Sequence, residues 1–209
     1  MLGTRPDIGY SVATLSQYSS NPGKEHWVAI NCLLRYLSST KDFKLIYDGN
    51  FQTNHRFGYS DSDWAGDPRD YRSVSGFTFI MAGATVSWSS KKQPSIALSS
   101  TEGEYMAISH ATKEAVWIQQ FLRDIRFPLP DPSTILVDNQ GAIALATNPT
   151  FHARTKHIGV RHHFIRDRVE CRDIILDYIP TDDQVADILT KALAYDKFSR
   201  FRSSMGLQE

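Results

Sequence analysis

The chain has 209 residues, 41% hydrophobic and 22% charged, and its basic and acidic side chains balance to a formal net charge of 0. That length suits one large domain, or one domain with an appendage, of ordinary globular composition. Its neutrality means that any footprint for a polyanion must be local. Two cysteines, Cys32 and Cys171, exclude a disulfide framework and point to a reducing, intracellular compartment; cytoplasm and nucleus are not distinguished. No apolar run approaches the roughly 18 residues of a membrane span, so no membrane partner is expected, and the first residues carry no secretory signal pattern.

In chain order, Pro6 suits a first helical turn. Ile8, Val12, Leu15 and Tyr18 recur at helical spacing up to a break at Ser19–Gly23. A second helix is predicted over about Lys24 to Ser38, with Trp27, Ile30, Leu33, Leu34 and Leu37 in one stripe. His26, in its first turn, reads as structural. The two make a helical hairpin without chemistry of its own. Lys44–Tyr47 is a short strand candidate. The polar, turn-rich tract from Asp48 to Arg56 places a domain boundary near residue 52.

Phe57–Trp64 follows, an aromatic alternation that turns acidic. Phe57, Tyr59, Asp61 and Asp63 share one face of a strand. Aspartate is depleted in strands. Two of them here mean either a carboxylate platform for a divalent ion or a strand that stops at Tyr59 and turns through Ser-Asp-Ser-Asp. Ser73–Met81 and Ala84–Lys92, joined by short glycine-containing turns, extend this into an antiparallel meander. Ser99 to Glu104 reads as a capped helix start, and that helix runs to about Arg126 before Pro128 and Pro130. Thr134–Asp138 is a buried parallel strand with an acid at its tip, where open α/β sheets place their sites; a helix-capping aspartate is the alternative.

Residues 151–172 hold six basic side chains, Arg154, Lys156, Arg161, Arg166, Arg168 and Arg172, against Asp167 and Glu170, a net of +4. Histidines 152, 157, 162 and 163 add charge below about pH 6.5. His157 and His162 lack the spacing of a helical zinc pair and the cysteines are distant in sequence, so a solvated or phosphate-facing surface is expected rather than zinc. Asp173–Ile179 reads as the last strand. Pro180–Gln184 opens a helix predicted to continue through Asp187 to Leu193, and a final short helix is predicted over about Asp196 to Ser204.

The order is a three-strand meander, helix, strand, helix, strand and helix, with acids at Asp61, Glu104, Asp138 and Asp187. It resembles the ribonuclease H fold. The strings GTRPDIGYSVATLSQ, LLRYLSST, YSDSDWAGDPRDYRSVSGFTF, VSWSSKKQPSIALSSTEGEYMA, RTKHIGVRHHFIRDRV and DQVADILTKAL resemble, in order and over nearly the whole chain, the pol polyprotein of copia-type LTR retrotransposons. The resemblance implies an α/β, ribonuclease H-like fold: a mixed five-stranded sheet, three antiparallel strands then parallel ones, flanked by helices and preceded by the hairpin. Residues 1–51 would be a helical remnant of the reverse transcriptase thumb or connection, and residues 52–209 the ribonuclease H-like domain. The polymerase Tyr-x-Asp-Asp motif is missing, so no polymerase activity is expected. Met1 would fall inside a larger domain, as in a truncated reading frame.

The implied activity is Mg²⁺-dependent hydrolysis of the RNA strand of an RNA–DNA hybrid, with two ions and Mn²⁺ able to substitute. Asp61, Glu104, Asp138 and Asp187 would be the catalytic, metal-binding carboxylates. Asp61 would bridge the ions, with Glu104 and Asp138 on one side and Asp187 on the other. Asp63 and Glu102 are neighbours that could be mistaken for them. The hybrid would be gripped through phosphates and 2′-hydroxyls by Lys91, Lys92, Arg154, Lys156, Arg161 and Arg168; a solvated charged face is the alternative for these. An upstream reverse transcriptase domain would be the partner within the polyprotein. Cellular ribonucleases H carry a histidine before the last acidic helix, whereas Tyr178–Gln184 has none, a departure that bears on the rate and leaves the metal site intact; replacement by His157, His162 or His163 is the less favoured alternative. A catalytically weak remnant that only binds hybrid or protein, and a different nuclease on the same fold, stay open.

Overall fold

The computed structural model describes residues 3–48, 57–127, 132–147 and 159–209, with residues 159–163 described by their backbone only. The expected boundary near residue 52 lies outside these residues.

Strand β1 is Lys44–Leu45. Strands β2 (Phe57–Asp63), β3 (Val74–Met81), β4 (Ala84–Lys92), β5 (Ser133–Val137) and β6 (Ile174–Tyr178) form one five-stranded sheet in the order β4-β3-β2-β5-β6. The first three are antiparallel, with a two-residue turn between β3 and β4 and a longer loop between β2 and β3. β5 and β6 join in parallel, each after a helical crossover. β2 runs through Asp63 and pairs with β3 over its whole length, Asp61 opposite Gly76 and Asp63 opposite Val74. The alternative in which the strand ends at Tyr59 is thereby excluded.

Helix α3 (Ser100–Asp124) lies along one face of the sheet. It starts where expected, because Ser99 Oγ accepts the Glu102 amide at 3.2 Å and satisfies an end that would otherwise be unpaired. It stops where Arg126 adopts a left-handed φ of 58°. Helices α4 (Gln140–Thr147) and α5 (Gly159–Glu170) complete this layer. Tyr105, Ile108, Ala111, Ala115, Ile135, Val137, Ile165 and Ile174 form its core with Phe77 and Phe79. On the other face Val185, Ile188, Leu189, Phe201 and Met205 pack with Tyr59 and Trp88. Helix α6 (Tyr195–Ser204) and strand β7 (Leu207–Gln208) belong to this second layer.

The stretch after Pro180 is not an α-helix. It is two 3₁₀ turns, Thr181–Asp183 and Val185–Leu189, so Asp187 sits on a 3₁₀ turn. Gln184 breaks the path with φ −71° and ψ 95°, and its buried side chain turns into the sheet. The proline, hydroxyl and acids that suggest a helix start serve equally for a tight turn. The turn can lie against the sheet because Gly76 leaves room: a Cβ there would meet Thr190 Cγ2 at 2.7 Å and Leu189 Cβ at 2.9 Å.

The predicted hairpin is present as a 3₁₀ turn at Pro6–Ile8, α1 (Gly9–Ser16) and α2 (Lys24–Ser39). α1 packs on β4 and on the Asp187 turn. A buried ion pair, Arg5 Nη2 to Asp7 Oδ2 at 2.8 Å, anchors it. Tyr36 donates to the same Asp7 oxygen at 2.5 Å, and Arg202 of α6 reaches Tyr36 Oη at 3.4 Å. The stripe on α2 is only partly covered. Ile30, Leu33 and Leu37 are half-buried, whereas Trp27 and Leu34 are 59% and 56% exposed, because α2 has α1 beneath it and, among the described residues, no third layer over it. His26 is structural here: its Nδ1 accepts the Gly23 amide at 2.7 Å and its ring stacks on Tyr18. β1 pairs antiparallel with β7, a strand not expected from the sequence.

Candidate active site

Three carboxylates meet at one corner of the sheet. Asp61 comes from the last turn of the pleat in β2, Glu104 from just past the first turn of α3, and Asp138 from the residue after β5. Each brings an oxygen within 4.8 Å of the other two. β2 and β5 are parallel neighbours, so both acids emerge at carboxyl ends of strands and the helix start fills the third side. Asp138 does not cap α4; Asn139 does, its Oδ1 accepting the Ala142 amide at 2.9 Å.

The burial of these acids is costly. Asp61 is 1% and Glu104 6% exposed, and Asp138 is half-buried. Burial pushes Asp61 up to about 7; Lys191 opposes this and Asp187 and Asp138 reinforce it. Glu104 is driven well above the ordinary carboxylate range by burial and then by Asp61 and Asp138. Glu104 Oε1 accepts the Ser62 amide at 3.2 Å, while Oε2 is buried with no hydrogen-bond partner. A buried polar atom left unpaired is expensive. The hard oxygen donors around it are of a kind that suits a divalent ion such as Mg²⁺ or Mn²⁺.

The structure separates Asp187 from this group of three. Its two oxygens face ammonium groups, Lys191 Nζ at 2.8 Å and Lys197 Nζ at 3.0 Å. Lys191 also lies 3.7 Å from Asp61 Oδ2, so it links the two acids, and Thr190 Oγ1 donates to the same Asp61 oxygen. Burial alone would lower Lys191, but Asp61 and Asp187 outweigh it and raise it. The two neighbouring acids have other contacts. Asp63 Oδ1 accepts the Val74 amide across the strand pair, and its carboxyl is raised to about 6, chiefly by burial. Glu102 Oε2 accepts the Leu98 amide at 2.8 Å, ahead of the helix.

Of the basic candidates, Lys91, Lys92 and Arg168 have described side chains. Lys91 is exposed on β4. Lys92 is tied to Asp67 at 2.6 Å and Asp70 at 2.9 Å, and Arg168 to Asp173 at 2.9 Å. Arg154, Lys156 and the side chain of Arg161 lie outside the described residues, as do the side chains of His157, His162 and His163. Among the described residues, the three acids are the one cluster with metal-ligand spacing. No helix of the described residues is long and apolar enough to cross a membrane, and Cys32 and Cys171 are free and exposed.

Sequence reasoning missed Thr190, Lys191, Lys197 and Gln184. Lys191 follows Asp187 at the i, i+4 spacing of an ion pair, a signal that was available. Gln184 carried none.

No protein-family model matches the chain. Among solved structures, that of LC11-RNase H1, isolated from compost by a metagenomic approach, superposes with a TM-score of 0.51 at 17% identity, over 66% of this chain and 94% of that one. With the sheet order above, the fold is ribonuclease H-like. In sequence the chain is 42% identical over 205 residues to the retrovirus-related Pol polyprotein from transposon RE2 of Arabidopsis thaliana, covering 98% of this chain and 14% of that one. It is also 52% identical over 118 residues to secreted RxLR effector protein 161 of Plasmopara viticola, covering 56% of this chain and 82% of that one. Retrovirus-related Pol polyproteins of copia-type transposons are thus homologues of the chain over nearly its whole length. It spans about one-seventh of the length of those polyproteins.

Proposed function

We propose that the chain is a ribonuclease H-type endonuclease segment of such a polyprotein, cutting the RNA strand of an RNA–DNA hybrid. Residues 1–51 would be the end of the polymerase side and residues 52–209 the nuclease. The observation that carries this is the buried meeting of Asp61, Glu104 and Asp138, with the unpaired Glu104 Oε2 among them.

Asp61, Glu104 and Asp138 would hold Mg²⁺ or Mn²⁺, with Asp187 as the fourth carboxylate. Two bound ions would supply an activated water and stabilise the departing 3′ oxygen in an in-line displacement. The chain's own part is to orient. The Ser62 amide fixes Glu104, Thr190 fixes Asp61, and the Asn139 cap leaves Asp138 uncommitted. Lys191 balances the charge of Asp61 and Asp187. Lys91, Lys92 and the basic stretch of 151–172 would meet the phosphates of the hybrid.

A second reading, a module that binds hybrid without turnover, is favoured by one observation: both oxygens of Asp187 are already ion-paired with lysines. Cleavage of a labelled hybrid in Mg²⁺ and in Mn²⁺, beside the Asp138→Asn protein, separates the two. Metal-dependent cutting of the RNA strand, lost in the variant, is expected. A folded wild-type protein that binds hybrid and never cuts it would leave the binding module.

A further inference from the structure

We propose that Gln184 is the positioning residue that sets the spacing of Asp61, Asp138 and Asp187, by stitching together two strands where their own pairing ends. The proposal rests on the nuclease reading of these acids. The parallel pairing of β2 with β5 stops at Tyr59 and Leu136. Asp61 lies two residues past the first and Asp138 two residues past the second. Two strands that leave each other at a sheet's carboxyl end make a crevice, and nothing in the ladder fixes its width beyond the last pair.

The Gln184 side chain occupies that position. It is fully buried, and its Nε2 donates to Ser60 O at 3.0 Å and to Leu136 O at 3.3 Å, one hydrogen to each strand. Its Oε1 accepts the Ala186 amide at 3.3 Å, which starts the 3₁₀ turn bearing Asp187. One carboxamide therefore spends both donors and an acceptor on the three segments that present Asp61, Asp138 and Asp187. Gln184 has no part in the chemistry itself. It acts through the backbone, as outer-shell groups do when they hold metal ligands in place. A methionine would fill nearly the same volume but has no N–H to donate.

The test is Mn²⁺ binding by calorimetry to the full chain, wild type beside Gln184→Met and Ile165→Val. Ile165 is buried in the opposite layer, so its variant controls for lost stability alone. Gln184→Met is expected to fold and to bind Mn²⁺ roughly tenfold more weakly, with Ile165→Val unchanged. A folded Gln184→Met protein with wild-type affinity would overturn the proposal. If Gln184→Met fails to fold, NMR of the wild type decides. Couplings across the hydrogen bonds from Gln184 Nε2 to the Ser60 and Leu136 carbonyls are expected; a side-chain amide that exchanges like a free glutamine refutes the bridge. Wild-type protein that binds no divalent ion would refute the metal reading of the acids, while the same couplings still judge Gln184.

Discussion

Two groups of carboxylates in this molecule have opposite electrostatic fates. Asp67 and Asp70 are on the turn between β2 and β3. Asp67 meets Arg69 at 2.5 Å and Lys92 at 2.6 Å, and Lys92 also meets Asp70. Arg69 first, then Lys92, holds the Asp67 carboxyl well below the usual carboxylate range. Asp61 and Glu104 are buried and short of cations, and are pushed up instead. The first group is already satisfied by its cations, whereas the second has only Lys191 beside it, a contrast that the metal site proposed above would account for. Strongly raised carboxyl groups in a crevice mark a site because folding has accepted their cost.

The largest effect expected from breaking the second group is on turnover. Asp138→Asn should cost a hundredfold or more in hybrid cleavage, the several kcal/mol that metal-assisted charge stabilisation supplies, with the fold intact by circular dichroism. Next comes pH. Asp61 and Glu104 bind their protons more tightly folded than unfolded, so folding takes up protons. The metal-free protein should lose stability as pH rises from about 4 toward 7, on the order of a few kcal/mol. Saturating Mg²⁺ should flatten or reverse that slope, and thermal melts at pH 5 and pH 8, with and without Mg²⁺, check both. Gly76→Ala should cost about 1–3 kcal/mol by overpacking against Thr190 and Leu189, and should weaken metal binding as Thr190 is pushed from Asp61; melts and Mn²⁺ titration report on each. Smallest is Asp67→Asn in the satisfied group, below about 1 kcal/mol because its Arg69 partner is half exposed and water screens the pair. A loss from Asp67→Asn as large as that from Gly76→Ala would erase the contrast.

Much of this was legible in the residues. The meander and the long helix follow from alternation, caps and glycine turns, and these local signals agree with the final sheet. The three clustered acids stand out by their contexts at strand ends and a helix start. What was hidden is long-range. That Asp187 rides a 3₁₀ turn depends on Gln184 reaching β2 and β5, more than forty residues away in sequence at the nearer strand. That Lys92 and Arg168 are held in ion pairs depends on partners that a charge count cannot assign. Trp27 and Leu34 fit a helical stripe as well as Ile30 and Leu33 do, and only the absence of a third layer over α2 among the described residues tells them apart.

The short pairing of β1 with β7 bears on the order of assembly. Leu45 opposite Leu207 closes a loop of about 160 residues, and the entropy of such a closure runs to a few kcal/mol. Two residue pairs cannot repay that alone, so this seam must form on a molecule already nearly complete. Around it, Ile46 bonds to Gly206, Asp48 to Ala82 and Thr85 to Met205, single bonds of 2.8 to 3.0 Å that gather residues 44–48 onto the β3–β4 turn. The seam should be last to zip and first to fray, with amides at Ile46 and Asp48 exchanging with solvent well before those of β2. The acid corner, held from β2, α3 and β5, would stay closed while it opens.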